Sequence, residues 1–209
     1  METGPDFHEE HLLSDGTSVA VRHIRPEDAA ELKRGFEKLT PQSRYRRFLG
    51  GVTSLSDAQL RYLTEVDGHD HVAIVATIQP PGAEPVGLGV ARYVRAAEDP
   101  EVAEIAITVQ DEWQGLGVGR LLGLVLARAA LERGVKRFSG EILADNDVVQ
   151  ALLADCGARV RKHDGAVEFE LSLEPPPSQP ERGLEEVAHK MLRAASTFLA
   201  GLFGRGAWR

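Results

Sequence analysis

The hydrophobic positions of this 209-residue chain follow two periods, one typical of strands and one typical of helices. In several short segments every second residue is apolar, as in a strand with one buried face, whereas elsewhere apolar residues recur three and four positions apart. The pattern and its flanking turn residues predict strands at 18–23, 71–78, 85–94, 102–109, 135–143, 158–163 and 167–173.

Signals for helix starts lie between these segments. Pro26 begins a predicted helix, because its fixed φ suits a first helical turn. Thr40 is a predicted N-cap followed by Pro41, and Ser56 forms a predicted capping box with Gln59.

The second half of the chain contains similar signals for helix ends and turns. A long helix is predicted to end near Gly134, and a short one opens at Asn146 and stops at Gly157. Asp164 and Gly165 form a turn between the last two strands. The order of elements predicts an α/β (α+β) fold, with helices on both faces of a mixed, largely antiparallel central sheet.

Three glycines stand at the junction between the strand at 102–109 and the long helix that follows. Gly115, Gly117 and Gly119 leave backbone N–H groups uncovered, and the orphan amides and dipole of the helix N-terminus point to the same place. The segment therefore predicts a pyrophosphate site. A glycine-rich turn without a ligand is the alternative, although the flanking strand and helix favour a phosphate loop.

Two common phosphate loops do not fit this segment. A nucleotide P-loop requires Lys and a hydroxyl residue directly after its last glycine, whereas Arg120 and Leu121 follow Gly119. A Rossmann loop has the spacing G-x-G-x-x-G after a first strand, whereas these glycines have the spacing G-x-G-x-G and follow several strands.

Residues Gln114 to Gly119 match Q-x-x-G-x-G, and with this motif the chain resembles the GNAT family of acyl-CoA-dependent N-acyltransferases. The resemblance spans roughly Val19 to Leu173, through VRHIRPEDA, TPQSRYRRF, TEVDGHDHVAIVA, GLGVARYV, AEIAITV and LADN. These strings are most similar to the acetyltransferase domain of bacterial protein lysine acetyltransferases. The resemblance implies a GNAT-like sheet and acetyl-CoA as the cosubstrate.

The resemblance also implies where acetyl-CoA binds. Backbone groups of Ile107, Thr108 and Val109 are expected to pair with the pantetheine arm, and the loop amides from Gly115 onward are expected to hold the pyrophosphate. Asn146 is predicted to cap its helix, and the resemblance implies that it also contacts pantetheine. The loop residues of the expected site are Gln114, Gly115, Leu116, Gly117, Val118, Gly119 and Arg120.

Glu104 is the predicted general base. It lies among apolar neighbours in mid-strand, on the face that also carries Val102, Ala106 and Thr108. A lysine amine is mostly protonated near neutral pH and needs a base, and a buried carboxylate rarely lacks a partner or a function. A solvent-facing strand Glu is the alternative. In the enzymes that the chain resembles, the Glu of the A-E-x-A motif is the general base, and in this chain that residue is Glu104. Glu141, in the following predicted strand, is the reserve candidate for the base.

The chain departs from the family pattern on the helix after Asn146. Many members carry a Tyr four residues before the terminal glycine, as the acid for the leaving thiolate, but here Leu153 stands beside Leu152. Neither residue donates a proton. Because a CoA thiol has a pKa near that of cysteine, about 8.5, the thiolate leaves unaided or another acid serves.

Two polar clusters are interpreted as structural. His69, Asp70 and His71 are consecutive where a strand begins, so their side chains cannot all point one way, and no metal site is predicted. The basic run around Tyr45 is interpreted as a solvated helix face rather than a phosphate site.

Composition narrows the possible functions. The chain is 43% hydrophobic and 27% charged, as in soluble globular proteins, and its net charge of -8 provides no electrostatic footprint for nucleic acid. Cys156 is the only cysteine, which excludes an intramolecular disulfide and fits the cytoplasmic location that we expect. The sequence shows neither signal-peptide features nor an uncharged apolar run of about 18 residues.

The organisation predicted from these features has three parts: an acetyltransferase domain at 1–173, a Pro-rich linker at 174–183 and an amphipathic helix at 184–209. The helix is expected to pack on its own domain or on a twin subunit, and a membrane-surface or partner-binding helix is the alternative. Its apolar stripe consists of Leu184, Val187, Met191, Ala195, Phe198, Leu199 and Leu202.

The predicted function is acetylation of protein lysine side chains through direct attack on acetyl-CoA in a ternary complex. One alternative is the same reaction on a small amine or a protein N-terminus, because acceptor specificity resides in loops such as 50–53 and 67–71. The other is a non-catalytic acyl-CoA-binding regulatory module.

Overall fold

A computed structural model describes residues 3–4, 6–48 and 52–174. The predicted C-terminal helix, most of the Pro-rich linker and part of the loop at 50–53 lie outside the described residues. Within the described residues, none of the helices combines the length and the apolarity that crossing a bilayer requires.

The described chain forms a single eight-stranded sheet with helices against it. The strands are β1 (His8–Leu12), β2 (Ser18–His23), β3 (His71–Ile78), β4 (Val86–Arg95), β5 (Val102–Val109), β6 (Arg137–Leu143), β7 (Arg159–His163) and β8 (Ala166–Ser172). The helices are α1 (Ala29–Lys38), α2 (Pro41–Phe48), α3 (Asp57–Thr64), α4 (Val118–Glu132) and α5 (Asp147–Asp155), with 3₁₀ turns at Pro26–Asp28 and Asp111–Trp113.

The strand order is β1-β2-β3-β4-β5-β6-β8-β7, and every neighbouring pair is antiparallel except β5 and β6. The parallel pair is joined by the crossover through α4, as parallel strands require. This topology confirms the predicted mixed, largely antiparallel sheet.

One face of the sheet packs against α4. Ile105 and Ile107 of β5 are buried there beside Leu122 and Leu126 of the helix. Burying one such side chain contributes roughly 1.5–3 kcal/mol to folding, so this layer is the main apolar core. The helix is apolar on most of its circumference because it also contacts β3 and β4.

The opposite face is covered in part by α1 and α3. Phe36 of α1 packs with Leu60 and Leu63 of α3 in a smaller apolar cluster. The strands beneath carry polar side chains as well, and His71 and Arg92 are both buried. Helices therefore lie on both faces, as predicted.

The local signals match the structure at several element ends. The Ser43 N–H donates to the Thr40 hydroxyl at 3.2 Å, which confirms Thr40 as an N-cap. Ser56 and Gln59 exchange side-chain hydrogen bonds with each other's backbone N–H, as a capping box does. Asp164 and its glycine neighbour both have positive φ in the turn between β7 and β8.

The structure adds one strand to those predicted and shifts several predicted strand ends by one or two residues. The strand β1 was not predicted, because its sequence HEEHL is almost entirely polar, yet it pairs with β2 over five residues at the sheet edge. Strand β4 begins at Val86 rather than Pro85, since proline has no N–H for the ladder. In both places pairing with a neighbouring strand decides the boundary.

Candidate functional site

A cleft opens between β5 and β6. The strands pair only over Val102–Glu104 and Arg137–Ser139, although β5 continues to Val109. The Gln110 N–H donates to β4, and in an antiparallel ladder alternate residues hydrogen-bond to the same neighbour. The backbone groups of Ile107 and Val109 therefore point to the open side of β5.

The predicted pantetheine contacts lie along this stretch of β5. Ile107 and Val109 direct backbone groups into the cleft, whereas Thr108 is registered against Val90 of β4 and its side chain lies on the α1 face. An extended amide-containing chain in the cleft would meet the edge of β5 as an additional strand does.

The N-terminus of α4 lies beyond the end of β5. Gly117 is its N-cap with φ 96°, and Gly115 has φ 78°, so both occupy the left-handed region that favours glycine. The first helical bond runs from the Leu121 N–H to the Gly117 carbonyl at 3.0 Å. The amides of Val118, Gly119 and Arg120 precede that bond and have no acceptor within the helix.

Two further properties suit this helix end to an anion. The first turn of α4 contains no acidic residue, and no side chain caps its N-terminus. A Cβ added at Gly115 or Gly117 would meet no heavy atom within 4 Å, so there is open space beside the loop. A phosphate there would receive backbone N–H groups and the positive end of the helix dipole.

Gln114 and Asp111 hold the glycine loop in place. The Gln114 amide donates to the Val109 carbonyl at 3.1 Å and to the Asp111 carboxylate at 3.2 Å. The same carboxylate accepts hydrogen bonds from the Thr40 N–H and the Ser43 hydroxyl at the start of α2. Asp111 thus ties loop, strand and α2 together. Sequence reasoning missed this residue, although an acidic residue two positions after the strand was a visible signal.

A groove of about 480 Å³ lies over β5, β6, β8 and β7, and Glu104 and Glu141 both line it. Glu104 is half-buried and registered beside Ser139 of β6, at the last paired position before the cleft opens. Both candidate carboxylates therefore border one space, and Glu104 is the one at the mouth of the cleft. A fully solvent-facing position for Glu104 does not fit its half-buried state.

A buried polar cluster lies close to Glu104. Arg92 is 2% exposed, and its guanidinium contacts the His71 ring nitrogen at 3.1 Å and donates to the Leu63 carbonyl at 3.1 Å. Burial lowers the pKa of Arg92 to about 10. Burial and the charge of Arg92 lower the pKa of His71 to about 4, so the ring is neutral at physiological pH.

Tyr62 connects this cluster to the candidate base. Its ring lies 5.0 Å from the His71 ring, centroid to centroid. Burial raises the pKa of Tyr62, Arg92 opposes that shift and Glu104 adds to it, so the phenol lies within electrostatic reach of both charges. Sequence reasoning missed this cluster. The signal that the sequence offered for it was Arg92, an arginine at an inward-facing position of a strand.

Asn146 directly precedes α5, and Leu153 lies in the last turn of that helix. Asn146 is 2% exposed and its side-chain oxygen accepts the Val149 N–H at 3.4 Å, which agrees with the predicted helix cap. Leu153 is buried in the apolar core. The position that holds a Tyr in many GNAT members therefore offers no proton donor here.

The remaining clusters have structural partners. The Asp67 carboxylate accepts the N–H groups of His69, Asp70 and His71, which fixes the turn before β3. In the part of the chain that the structure describes, no three His, Cys, Asp or Glu residues are arranged to hold a metal ion. In the basic run, Arg44 lies 5.7 Å from the centre of the Phe36 ring.

Comparison with known proteins agrees with this geometry. Residues 19–159 match the family described as the acetyltransferase (GNAT) domain. The chain is 34% identical over 182 residues to acetyltransferase Pat of Mycolicibacterium smegmatis, covering 84% of this chain and 54% of that protein. The chain thus spans about half the length of this relative.

Solved structures share the fold. The GNAT domain of S. lividans PAT has a TM-score of 0.71 and 31% identity, covering 79% of this chain and 97% of that domain. A more distant structure, yncA of Salmonella typhimurium with its cofactor acetyl-CoA, has a TM-score of 0.59 and 17% identity over 78% of this chain and 98% of that one. At that identity the second likeness concerns the fold alone.

Proposed function

The chain belongs to the GNAT acetyltransferase family, and we propose that it transfers the acetyl group of acetyl-CoA to lysine side chains of proteins. The relatives named Pat support a protein acceptor. The observation that carries the proposal is the arrangement of β5, which borders the open cleft with one edge and carries Glu104 in the adjoining groove. Cytoplasmic localisation, expected from the single cysteine, is part of the same proposal.

The donor binds at three places on the chain. The amides at the start of α4, from Gly115 to Arg120, receive the pyrophosphate, where the helix dipole favours negative charge. The edge of β5 at Ile107 and Val109 hydrogen-bonds the pantetheine amides, and Asn146 contacts the same arm from the position that caps α5. The match to the family described as the acetyltransferase (GNAT) domain supports this choice of donor.

Glu104 acts as the general base. A lysine amine has a reference pKa of about 10.4, so it arrives protonated and must lose a proton before it attacks. Glu104 accepts that proton directly or through one water, and the neutral amine attacks the thioester carbonyl to form the C–N bond. The C–S bond then breaks, and the nitrogen loses its second proton to water as the amide forms. The CoA thiolate leaves without an acid, because a thiol pKa of about 8.5 makes the thiolate an adequate leaving group and Leu153 cannot donate.

The charge of the groove favours a basic segment around the target lysine. The groove is lined by more acidic than basic side chains: Glu104, Glu141, Glu168 and Glu170 against Arg159 and Arg161. The net charge of the whole chain is -8. Complementary charge accelerates association and excludes acidic partners, so lysines in basic surroundings are the preferred acceptors.

The test uses the full chain with acetyl-CoA and three acceptors: two peptides of matched length and charge, and one small polyamine. One is a basic peptide with a lysine and a blocked N-terminus, one has a free N-terminus and no lysine, and the third is a small polyamine. Mass spectrometry is expected to find acetylation on the ε-amine of the first peptide. Modification of only the α-amine or the polyamine would overturn the lysine assignment, and acetyl-CoA binding without turnover on any acceptor would overturn catalysis.

A further inference from the structure

Another cavity lies between the sheet and helices α1 and α3, on the same face of β5 as Glu104. It has a volume of about 90 Å³, and most of its wall is apolar, with Leu32, Phe36 and Val75 among the lining residues. Val90 of β4 and Thr108 of β5 line it from the sheet. Since one water-sized probe needs roughly 10–15 Å³, the cavity has room for a short chain of a few heavy atoms.

Arg92 lines one end of this cavity and has no anionic partner among the described residues. The partners that the structure describes are a neutral ring, His71, and a backbone carbonyl, that of Leu63. The Arg92 Nε is buried and has no hydrogen-bond partner among the described residues. Burying a cation without a carboxylate is costly, so this end of the cavity suits an anion.

The other end has the opposite polarity. Gln110 is 7% exposed, its amide nitrogen donates to the Gly87 carbonyl, and its side-chain oxygen has no partner among the described residues. The Gln110 N–H bonds to β4 four residues from Arg92, which corresponds to roughly 13 Å along a strand.

Two carboxylates also line the cavity, and both already have partners. Glu31 accepts the Gly87 N–H, at the same end as Gln110, and forms an ion pair with Arg34. Asp28 is held by two hydrogen bonds from Arg22. Glu31 and the Gln110 side-chain oxygen would repel an anion from the Gln110 end, so a bound carboxylate would lie at Arg92.

We propose that this cavity binds a short aliphatic chain that ends in a carboxylate, with the carboxylate on Arg92. The favoured source is the acyl group of a donor thioester, because Thr108 lines the cavity from the strand whose open edge borders the cofactor cleft. A dicarboxylic acyl-CoA with four acyl carbons has this chemistry. The assignment to an acyl group of a donor thioester rests on the proposed function. Binding of a free carboxylic acid would not depend on that function.

Calorimetry on the full chain distinguishes binding of an acyl group that ends in a carboxylate from binding of a free carboxylic acid and from no carboxylate binding at all. The probes are acetyl-CoA, butyryl-CoA, succinyl-CoA and free succinate, and the butyryl and succinyl groups have the same number of carbons but differ at the end. Succinyl-CoA is expected to bind roughly tenfold more tightly than butyryl-CoA, as one charge-assisted hydrogen bond contributes about that much. Arg92→Met should abolish this preference and change the affinity for acetyl-CoA by less than about twofold.

Each result has one meaning. Equal affinity for butyryl- and succinyl-CoA, together with no binding of free succinate, would overturn the inference while acetyl-CoA binding upholds the proposed function. Binding of free succinate that is lost in Arg92→Met would support the carboxylate site and assign it to a free acid. Failure of all three thioesters to bind would contradict the proposed function instead.

A second variant keeps the test decisive if Arg92→Met does not fold. Val90→Phe fills the cavity and retains the arginine, so the affinity for succinyl-CoA should fall to that for acetyl-CoA. Val102→Phe is the matched control, because Val102 lies on the same face of β5 but does not line the cavity. Unchanged succinyl-CoA binding in Val90→Phe would contradict the inference.

Discussion

The two faces of the central sheet differ in what they bury. On the α4 face, residues such as Ile105 and Leu126 form a continuous apolar layer. On the α1 face, the same strands carry Arg92 and Glu104, and a cavity and a groove remain there. Apolar packing stabilises a fold, whereas buried polar groups destabilise it unless they are satisfied. The α4 face therefore supplies stability, and the α1 face carries the proposed chemistry at some expense of stability.

The difference arises within single strands. Neighbouring residues of β5 point to opposite faces, so Ile105 enters the core while Glu104 enters the groove. A one-residue change of register would exchange the two sets, because the side-chain period of a strand is two. The apolar face thus fixes the register that orients the polar face.

The largest expected effect is on the polar face. Glu104→Gln keeps the shape of the side chain and removes the base, so turnover at neutral pH should fall roughly 10²- to 10⁴-fold with acetyl-CoA affinity preserved. The loss should shrink as pH rises, because more of the acceptor amine is already neutral. Steady-state kinetics from pH 7 to 10 measure both effects.

Glu141→Gln is the matched control for this prediction, since Glu141 lines the same groove. It should retain near-full turnover. If Glu141→Gln loses activity and Glu104→Gln does not, the base has been assigned to the wrong carboxylate.

The next effect concerns the apolar face. Leu126→Ala leaves a cavity in the fully buried layer under α4 and should lower the free energy of unfolding by about 2–5 kcal/mol. Val160→Ala, on a side chain that is 49% exposed, should change it by less than about 0.5 kcal/mol. Urea denaturation followed by circular dichroism measures both. Similar losses in the two variants would contradict the division between the faces.

The third prediction concerns the glycine loop, which follows the end of β5. Gly117→Asp combines strain at φ 96° with a negative charge at the helix N-terminus, so acetyl-CoA affinity should fall roughly 100-fold. Gly16→Asp introduces the same residue at φ 85° in the turn between β1 and β2, and should leave affinity unchanged. Unchanged calorimetric affinity in a folded Gly117→Asp would remove the loop from the donor site.

The smallest effect is a pH dependence of stability from the polar face. Burial and the charge of Arg92 lower the pKa of His71 to about 4 from an ordinary 6.5, so below 6.5 the unfolded chain takes up a proton that the folded chain resists. The free energy of unfolding should therefore fall by about 2 kcal/mol between pH 7 and 5.

His71→Gln tests the origin of that slope. The variant keeps an acceptor for Arg92 and removes the titrating ring, so the decline between pH 7 and 5 should flatten. Asp28 affects stability in a lower pH range. Burial raises the pKa of its carboxyl group, but hydrogen bonds from Arg22 and from the Arg25 N–H hold that pKa below the ordinary 3.8. The stability that the ionised carboxylate contributes is therefore lost only as the pH falls through that range. An equally steep slope in His71→Gln would assign the effect to other groups.

Much of the site was visible in local sequence. Gly117 and its neighbouring glycines predicted an anion site, because a positive φ and an open helix N-terminus are properties of a short segment. Glu104 stood out as a carboxylate in an otherwise apolar strand. The pairing of Arg92 with His71 was not visible, since these residues are 21 positions apart and meet only when β3 and β4 pair.

The sequence by itself determined the periods of the strands and helices, the caps at Thr40 and Ser56 and the glycine loop, because each depends on residues within one or two turns. Only the tertiary structure decided that HEEHL forms a strand, that β5 separates from β6 after Glu104 and that a cavity remains beside Arg92. The physical reason is range: local dihedral preferences and caps act over a few residues, whereas strand pairing, burial and the spaces between layers depend on how distant segments pack.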